Sequence, residues 1–95
     1  MYELEAGFYT LSATGEFNNI CCNLNIIDKN NTLIKAVGVY KSDITNTKTL
    51  VQTFELQETC RVRAEIKRYN KQEMSGTAYF QLEKGLAATP YTQYN

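Results

Sequence analysis

The stretch "CRVRAEIKRY" (60–69) alternates strictly over eight positions, with Cys60, Val62, Ala64 and Ile66 on one phase and Arg61, Arg63, Glu65 and Lys67 on the other. Successive side chains of a strand point to opposite faces, whereas a helix would scatter this pattern around its circumference. Period-two alternation therefore dictates a strand with one face in a core. The period recurs along the chain. "FYTLSAT" (8–14) is introduced by Gly7 and ended by Gly15, with a short edge piece "YELE" (2–5) before it. "NICCNLNII" (19–27) sets Ile20, Cys22, Leu24 and Ile26 against Cys21, Asn23 and Asn25. "LIKAVGVYK" (33–41) returns after "DKNNT" (28–32), a hairpin turn in which Asn tolerates left-handed backbone and bonds its own chain. "KTLVQTFEL" (48–56) follows the polar loop "SDITNT" (42–47) and carries Leu50, Phe54 and Leu56 on one side. "TAYFQLEK" (77–84) places Ala78, Phe80 and Leu82 inward and Thr77, Tyr79, Gln81 and Glu83 outward.

No window of about 12 residues holds apolar side chains at helical spacing. Six or seven short strands at spacings of about 10–15 residues predict an all-β chain, a jelly-roll-like β-sandwich of two antiparallel sheets. The expected core is Leu11, Ile20, Leu24, Val37, Phe54, Val62, Ile66, Phe80 and Leu82. A chain of 95 residues can close one hydrophobic core, so residues 1–95 read as one domain.

Ten basic and ten acidic residues leave a formal net charge of zero, which gives no global field toward nucleic acid or an anionic membrane. No apolar run approaches the roughly 20 residues of a membrane-spanning helix, and "MYELEAGFY" lacks the features of a signal peptide, so neither membrane insertion nor export is implied. Of the three cysteines, adjacent Cys21 and Cys22 point to opposite faces and are not expected to bridge. Three reduced thiols are the simplest account, with a Cys22–Cys60 bridge as the alternative, since both face inward.

The chain has no histidine, which removes serine–histidine and cysteine–histidine nucleophiles and histidine metal sites. Three cysteines without a CxxC spacing make no structural zinc site unaided, and the five glycines (7, 15, 38, 76 and 85) form no phosphate loop. No metal or other cofactor is implied. Glu65 and Glu83 would be a carboxylate pair if their strands were neighbours, but in so small a sandwich they read as solvated glutamates, and no enzyme is expected.

The basic run "RVRAEIKRYNK" (61–71), ending beside Tyr69, fits a nucleic-acid track with a stacking aromatic, or a solvated strand face whose cations discourage edge pairing. Zero net charge favours the second, and no nucleic-acid partner is expected. If strands 60–69 and 77–84 pair across the loop "NKQEMSG" (70–76), one face presents Arg63, Lys67, Tyr79 and Gln81, the planar polar groups and aromatic ring that a sugar-binding surface uses. Seven tyrosines and no tryptophan also point to interfaces, since tyrosine joins apolar area to a hydroxyl. Tyr79, Tyr91 and Tyr94 are the exposed candidates, the last two as subunit contacts.

The C-terminal "FQLEKGLAATPYTQY" (80–94) resembles the signature that closes carbohydrate-binding-module-like jelly rolls in bacteriophage tail and virion proteins, through Gln81, Leu82, Glu83, Lys84, Gly85, Ala88, Thr89, Pro90, Tyr91 and Tyr94. "LEAGFYTLSATGEF" (4–17) is similar to the opening strand of those modules, and "TLVQTFELQETCRVRAEI" (49–66) to their next-to-last strand pair. The resemblance implies that Gly85 ends the last strand by turning the chain, and that Pro90 holds an extended segment with Tyr91 packed back on the sandwich. It departs in lacking the tryptophan of the family's ligand face, and neither Asp28 nor Asp43 sits in a calcium loop.

What the resemblance implies is a non-enzymatic virion module of a tail, fibre or baseplate, made in the bacterial host cytoplasm. Its partners would be host surface polysaccharide and other virion proteins, engaged as a homo-oligomer through shallow multivalent contacts. The alternative is a decoration or assembly protein of the capsid or tail that binds no sugar, which a chain complete at 95 residues from its own methionine favours slightly.

Overall fold

The computed structural model describes residues 2–43 and 45–86, apart from the side chain of Asn70. Eight strands follow in order: β1 (Tyr2–Leu4), β2 (Gly7–Asn18), β3 (Ile20–Ile27), β4 (Leu33–Ser42), β5 (Thr47–Thr49), β6 (Val51–Leu56), β7 (Cys60–Arg68) and β8 (Ser75–Lys84), with a single 3-10 turn at Tyr69–Lys71. They form two antiparallel sheets of order β1-β7-β3-β4-β5 and β6-β2-β8, a β-sandwich as the alternation dictates. The β3–β4 hairpin forms as read. The Asp28 carboxylate accepts from the Asn30 and Thr32 amides at 2.8 and 2.9 Å, and Asn31 takes the left-handed backbone that closes the turn.

The inward residues of both sheets meet in one cluster, with Ile26 and Val39 fully enclosed and Tyr9, Leu11, Ala13, Phe17, Leu24, Phe54, Leu56 and Val62 around them. Leu11, Leu24, Val37, Phe54 and Val62 are buried as expected, and Ile20, Phe80 and Leu82 pack against the cluster partly buried. Ile66 does not join it and is 63% exposed. Its phase is inward, but the second sheet is only three strands wide and leaves the far half of β7 uncovered.

Two pairings differ from the sequence reading. Residues 48–56 are not one strand: the chain leaves the first sheet after β5, passes through Leu50, and enters the second sheet as β6. The Leu50 carbonyl, freed from either ladder, accepts the Ala13 amide at 2.9 Å. More consequentially, β7 and β8 do not form a hairpin. Both edges of β7 are taken, by β3 and β1, and β8 lies instead along β2 from Tyr9↔Lys84 to Asn18↔Ser75. That register sets Phe80 against Ala13 and Leu82 against Leu11, burying apolar area that a place beside β7 would not. Gly76 permits it, since its φ is +83° and a Cβ there would fall on the backbone of Glu16 and Phe17. By the same partition β6 and β7, likened above to a strand pair, lie in different sheets.

β8 ends at Lys84, and Gly85 turns the chain with φ +114°, its amide donating to the Phe8 carbonyl at 2.7 Å. The three cysteines are free and buried, so no Cys22–Cys60 bridge forms. Pro90, Tyr91 and Tyr94 lie outside the described residues.

Candidate functional site

The antiparallel register stacks three strands of the first sheet so that Tyr40 on β4, Cys21 on β3 and Lys67 on β7 stand in one row across its outer face. The next row sets Gly38, Asn23 and Glu65 side by side. Because Gly38 has no side chain, the sheet dips there, and a Cβ would run into the Asn23 amide oxygen. The result is an open cleft of about 600 Å³ lined by Cys21, Asn23, Gly38, Tyr40, Gln52, Lys67, Arg68, Tyr69 and Lys71. Gln52 reaches it from β6, which runs beside the edge of β4.

One wall is aromatic. The rings of Tyr40 and Tyr69 stack at 4.8 Å with 7° between their planes, joining the sheet to the 3-10 turn that follows β7. That turn is held by Asn19, a buried residue at the β2–β3 corner with φ +60°. The Asn19 carbonyl accepts the Tyr69 amide at 2.9 Å, its Nδ2 donates to the Glu73 carbonyl at 3.0 Å, and its Oδ1 accepts the Asp43 amide at 3.4 Å. The other wall is cationic, with Lys67 and Lys71; Arg68 borders the cleft but shares the opposite phase of β7 with Ile66, and no carboxylate is among the lining residues. Lys67 pairs with the Glu65 carboxylate beside the cleft, at 3.9 Å between half-exposed side chains, a weak pair.

The floor is closed by the Cys21 thiol, which donates to Asn23 Oδ1 at 3.3 Å. Burial pushes this thiol above its ordinary 9.0, against the pull of the Lys67 ammonium, and Glu65 adds to the rise. At neutral pH it is a protonated wall and no nucleophile. Among the described residues no group of histidine, cysteine, aspartate or glutamate is placed to hold a metal ion. The cleft can therefore stack a ring, donate hydrogen bonds and attract negative charge.

Of the four residues expected on one sugar-binding face, the structure brings only two to the same sheet. Arg63 and Lys67 both lie on the outer side of β7, and Lys67 alone lines the cleft. Tyr79, 40% exposed, and Gln81 are on β8 in the other sheet, beside Thr14 and Ser12. The four-residue surface thus does not exist, because it depended on the β7–β8 hairpin. Glu65 and Glu83 are separated in the same way. The residues missed were Tyr40, Asn23 and Gln52, which line the cleft from β4, β3 and β6, and Asn19, which holds the 3-10 turn from the β2–β3 corner. The basic run ending at Tyr69 was the visible signal, and the register of β3 against β4 and β7 was the missing piece.

No protein-family model, no curated protein and no solved structure matches the chain.

Proposed function

We propose that this protein is a non-enzymatic phage virion module that binds host-surface carbohydrate in the cleft on the outer face of β3, β4 and β7. The observation that carries the reading is the parallel Tyr40–Tyr69 pair in a cleft also lined by Asn23 and Gln52. A pyranose offers an apolar ring face for an aromatic platform and hydroxyls for planar amides, and an open cleft admits one unit of a longer chain from the side. Single contacts of this kind are weak, and many copies on a virion convert weak contacts into retention. The virion setting rests on the resemblance of residues 80–94 to the phage modules. The lining residues include no carboxylate and no imidazole to serve as a base, which favours binding over catalysis.

The test is retention of bead-displayed protein on a glycan array and on whole bacterial cells. Tyr69→Ala should lower retention about tenfold or more, while Tyr79→Ala, on the opposite sheet, should leave it unchanged. Loss through Tyr79→Ala alone would move the site to β8 and sink the cleft. A second reading, an assembly protein of capsid or tail, is favoured by exposed Tyr2 at the gap between β7 and β8 and by the exposed Ile66 side chain on β7. It expects self-association and no retention on any glycan.

A further inference from the structure

We infer that the cleft selects anionic saccharides, seating the sugar against Tyr40 and Tyr69 and holding its carboxylate or phosphate with Lys67 and Lys71. The inference rests on the saccharide reading above and adds the ligand's charge to it. Neutral sugars need aromatic faces and amides, and a pair of lysines with no facing carboxylate would be superfluous for them. Here Lys67 and Lys71 line the cleft, none of its nine lining residues is an anion, and Glu65 reaches Lys67 only at 3.9 Å through half-exposed side chains. In a chain of zero net charge this is a local asymmetry that an incoming anion would feel.

A second, independent observation concerns the backbone. Among the described residues four non-glycine positions have φ between +54° and +66°; three are Asn19, Asn31 and Asn46, and the fourth is Lys71. Asparagine is enriched in this region because its short side chain bonds locally, whereas lysine gains nothing there and bears the steric cost. A strained residue kept at the rim of a cleft is the pattern expected where the side chain serves the site and not the fold. Lys71 closes the 3-10 turn that carries Tyr69 and lines the cleft with the aromatic pair.

The alternative occupant of a basic, aromatic cleft is single-stranded nucleic acid. It is less favoured, since Lys67 and Lys71 are confined to one cleft and make no basic track several nucleotides long.

The experiment measures binding of the intact chain, by calorimetry or on a biosensor, to oligogalacturonate, to the same oligomer fully methyl-esterified, to a mannose-6-phosphate polymer, to unmodified mannan and to oligo(dT). The expected result is at least about tenfold tighter binding to one or both acidic glycans than to the neutral counterpart, weakening as salt is raised. The larger acidic arm tells carboxylate from phosphate. Lys71→Asn should weaken acidic-glycan binding about fivefold while thermal stability holds or rises, a split that a purely structural lysine would not produce. Lys67→Gln serves as the second variant, on regular strand. Equal binding of acidic and neutral forms overturns the charge inference and leaves the saccharide reading standing. Absence of binding to every glycan sinks both. Tighter binding of oligo(dT), lost in the same variants, overturns the inference in favour of nucleic acid.

Discussion

Along one long seam of the sandwich the chain itself stitches the sheets together, running from β5 through Leu50 into β6, with the Lys35 ammonium donating to the Glu55 carbonyl at 2.8 Å. Along the other, β1 and β7 face β8, crossed among the described residues at the two ends, through residues 5–6 and 69–74, and Tyr2 and Ile66 stand 76% and 63% exposed. Both seams are bordered by strands of the same alternating pattern. What separates them is the width of the opposite sheet, which no strand encodes in its own sequence. Alternation states which way a side chain points, and topology states whether anything is there to meet it.

The sharpest way to break this comparison is to remove the same side chain from both situations. Ile26 is fully enclosed, and Ile26→Ala should cost about 2–5 kcal/mol through lost transfer energy and the cavity left behind. Ile66→Ala, on the open seam, should change stability by no more than about 0.5 kcal/mol. Urea unfolding of both variants at low protein concentration decides the matter. A cost above about 1.5 kcal/mol for Ile66→Ala would mean that the open seam is covered in solution, and a cost that grows with protein concentration would identify a second copy as the cover.

The crossing at residues 69–74 offers the next test, because it depends on one side chain. Asn19 is 5% exposed, takes a left-handed backbone, and ties the 3-10 turn to both β4 and the loop before β8. Asn19→Ala leaves the Glu73 carbonyl and Asp43 amide without their partner and places a β-carbon residue at positive φ. The expected loss is about 1–3 kcal/mol, with amide exchange accelerating first in residues 69–74. If that segment exchanges no faster than in the native protein, the turn is held by the Tyr40–Tyr69 stack instead, and the cleft is more robust than its hydrogen bonds suggest.

How far the sequence could be read follows from the same distinction. The strict runs in β3, β7 and β8 gave their phase correctly, and the asparagine-rich 28–32 loop gave its hairpin, because both signals are local. The assignment of β8 to β2 was not legible, since a seven-residue loop joins paired strands and crossing strands equally well. Nothing within 60–69 reports that both of its edges are occupied. The site failed for that reason alone: Tyr79 and Gln81 were grouped with Arg63 and Lys67 through a neighbour relation that β3 and β1 had already taken. Tyr40 and Asn23 were invisible for the complementary reason, as their adjacency to Lys67 exists only after β4, β3 and β7 pair.

The smallest expected effect concerns the thiols, which sample both faces of the first sheet. Cys22 and Cys60 point into the sandwich and Cys21 into the cleft floor, and burial pushes all three thiols above the ordinary 9.0. The native state therefore holds its thiol protons at a pH where the unfolded chain releases them. Stability from this source is constant below about pH 9 and declines as pH climbs from there toward the raised native values. A Cys22→Ala variant should lose part of that alkaline decline, and the difference between its profile and the native one removes the contribution of lysines and tyrosines common to both. Identical slopes above pH 9 would mean that water reaches Cys22 in the native protein. Cys22 lines the gap between β7 and β8, so that outcome would show the open seam to be wet to its floor, and the contrast between the two seams to be deeper than exposure alone records.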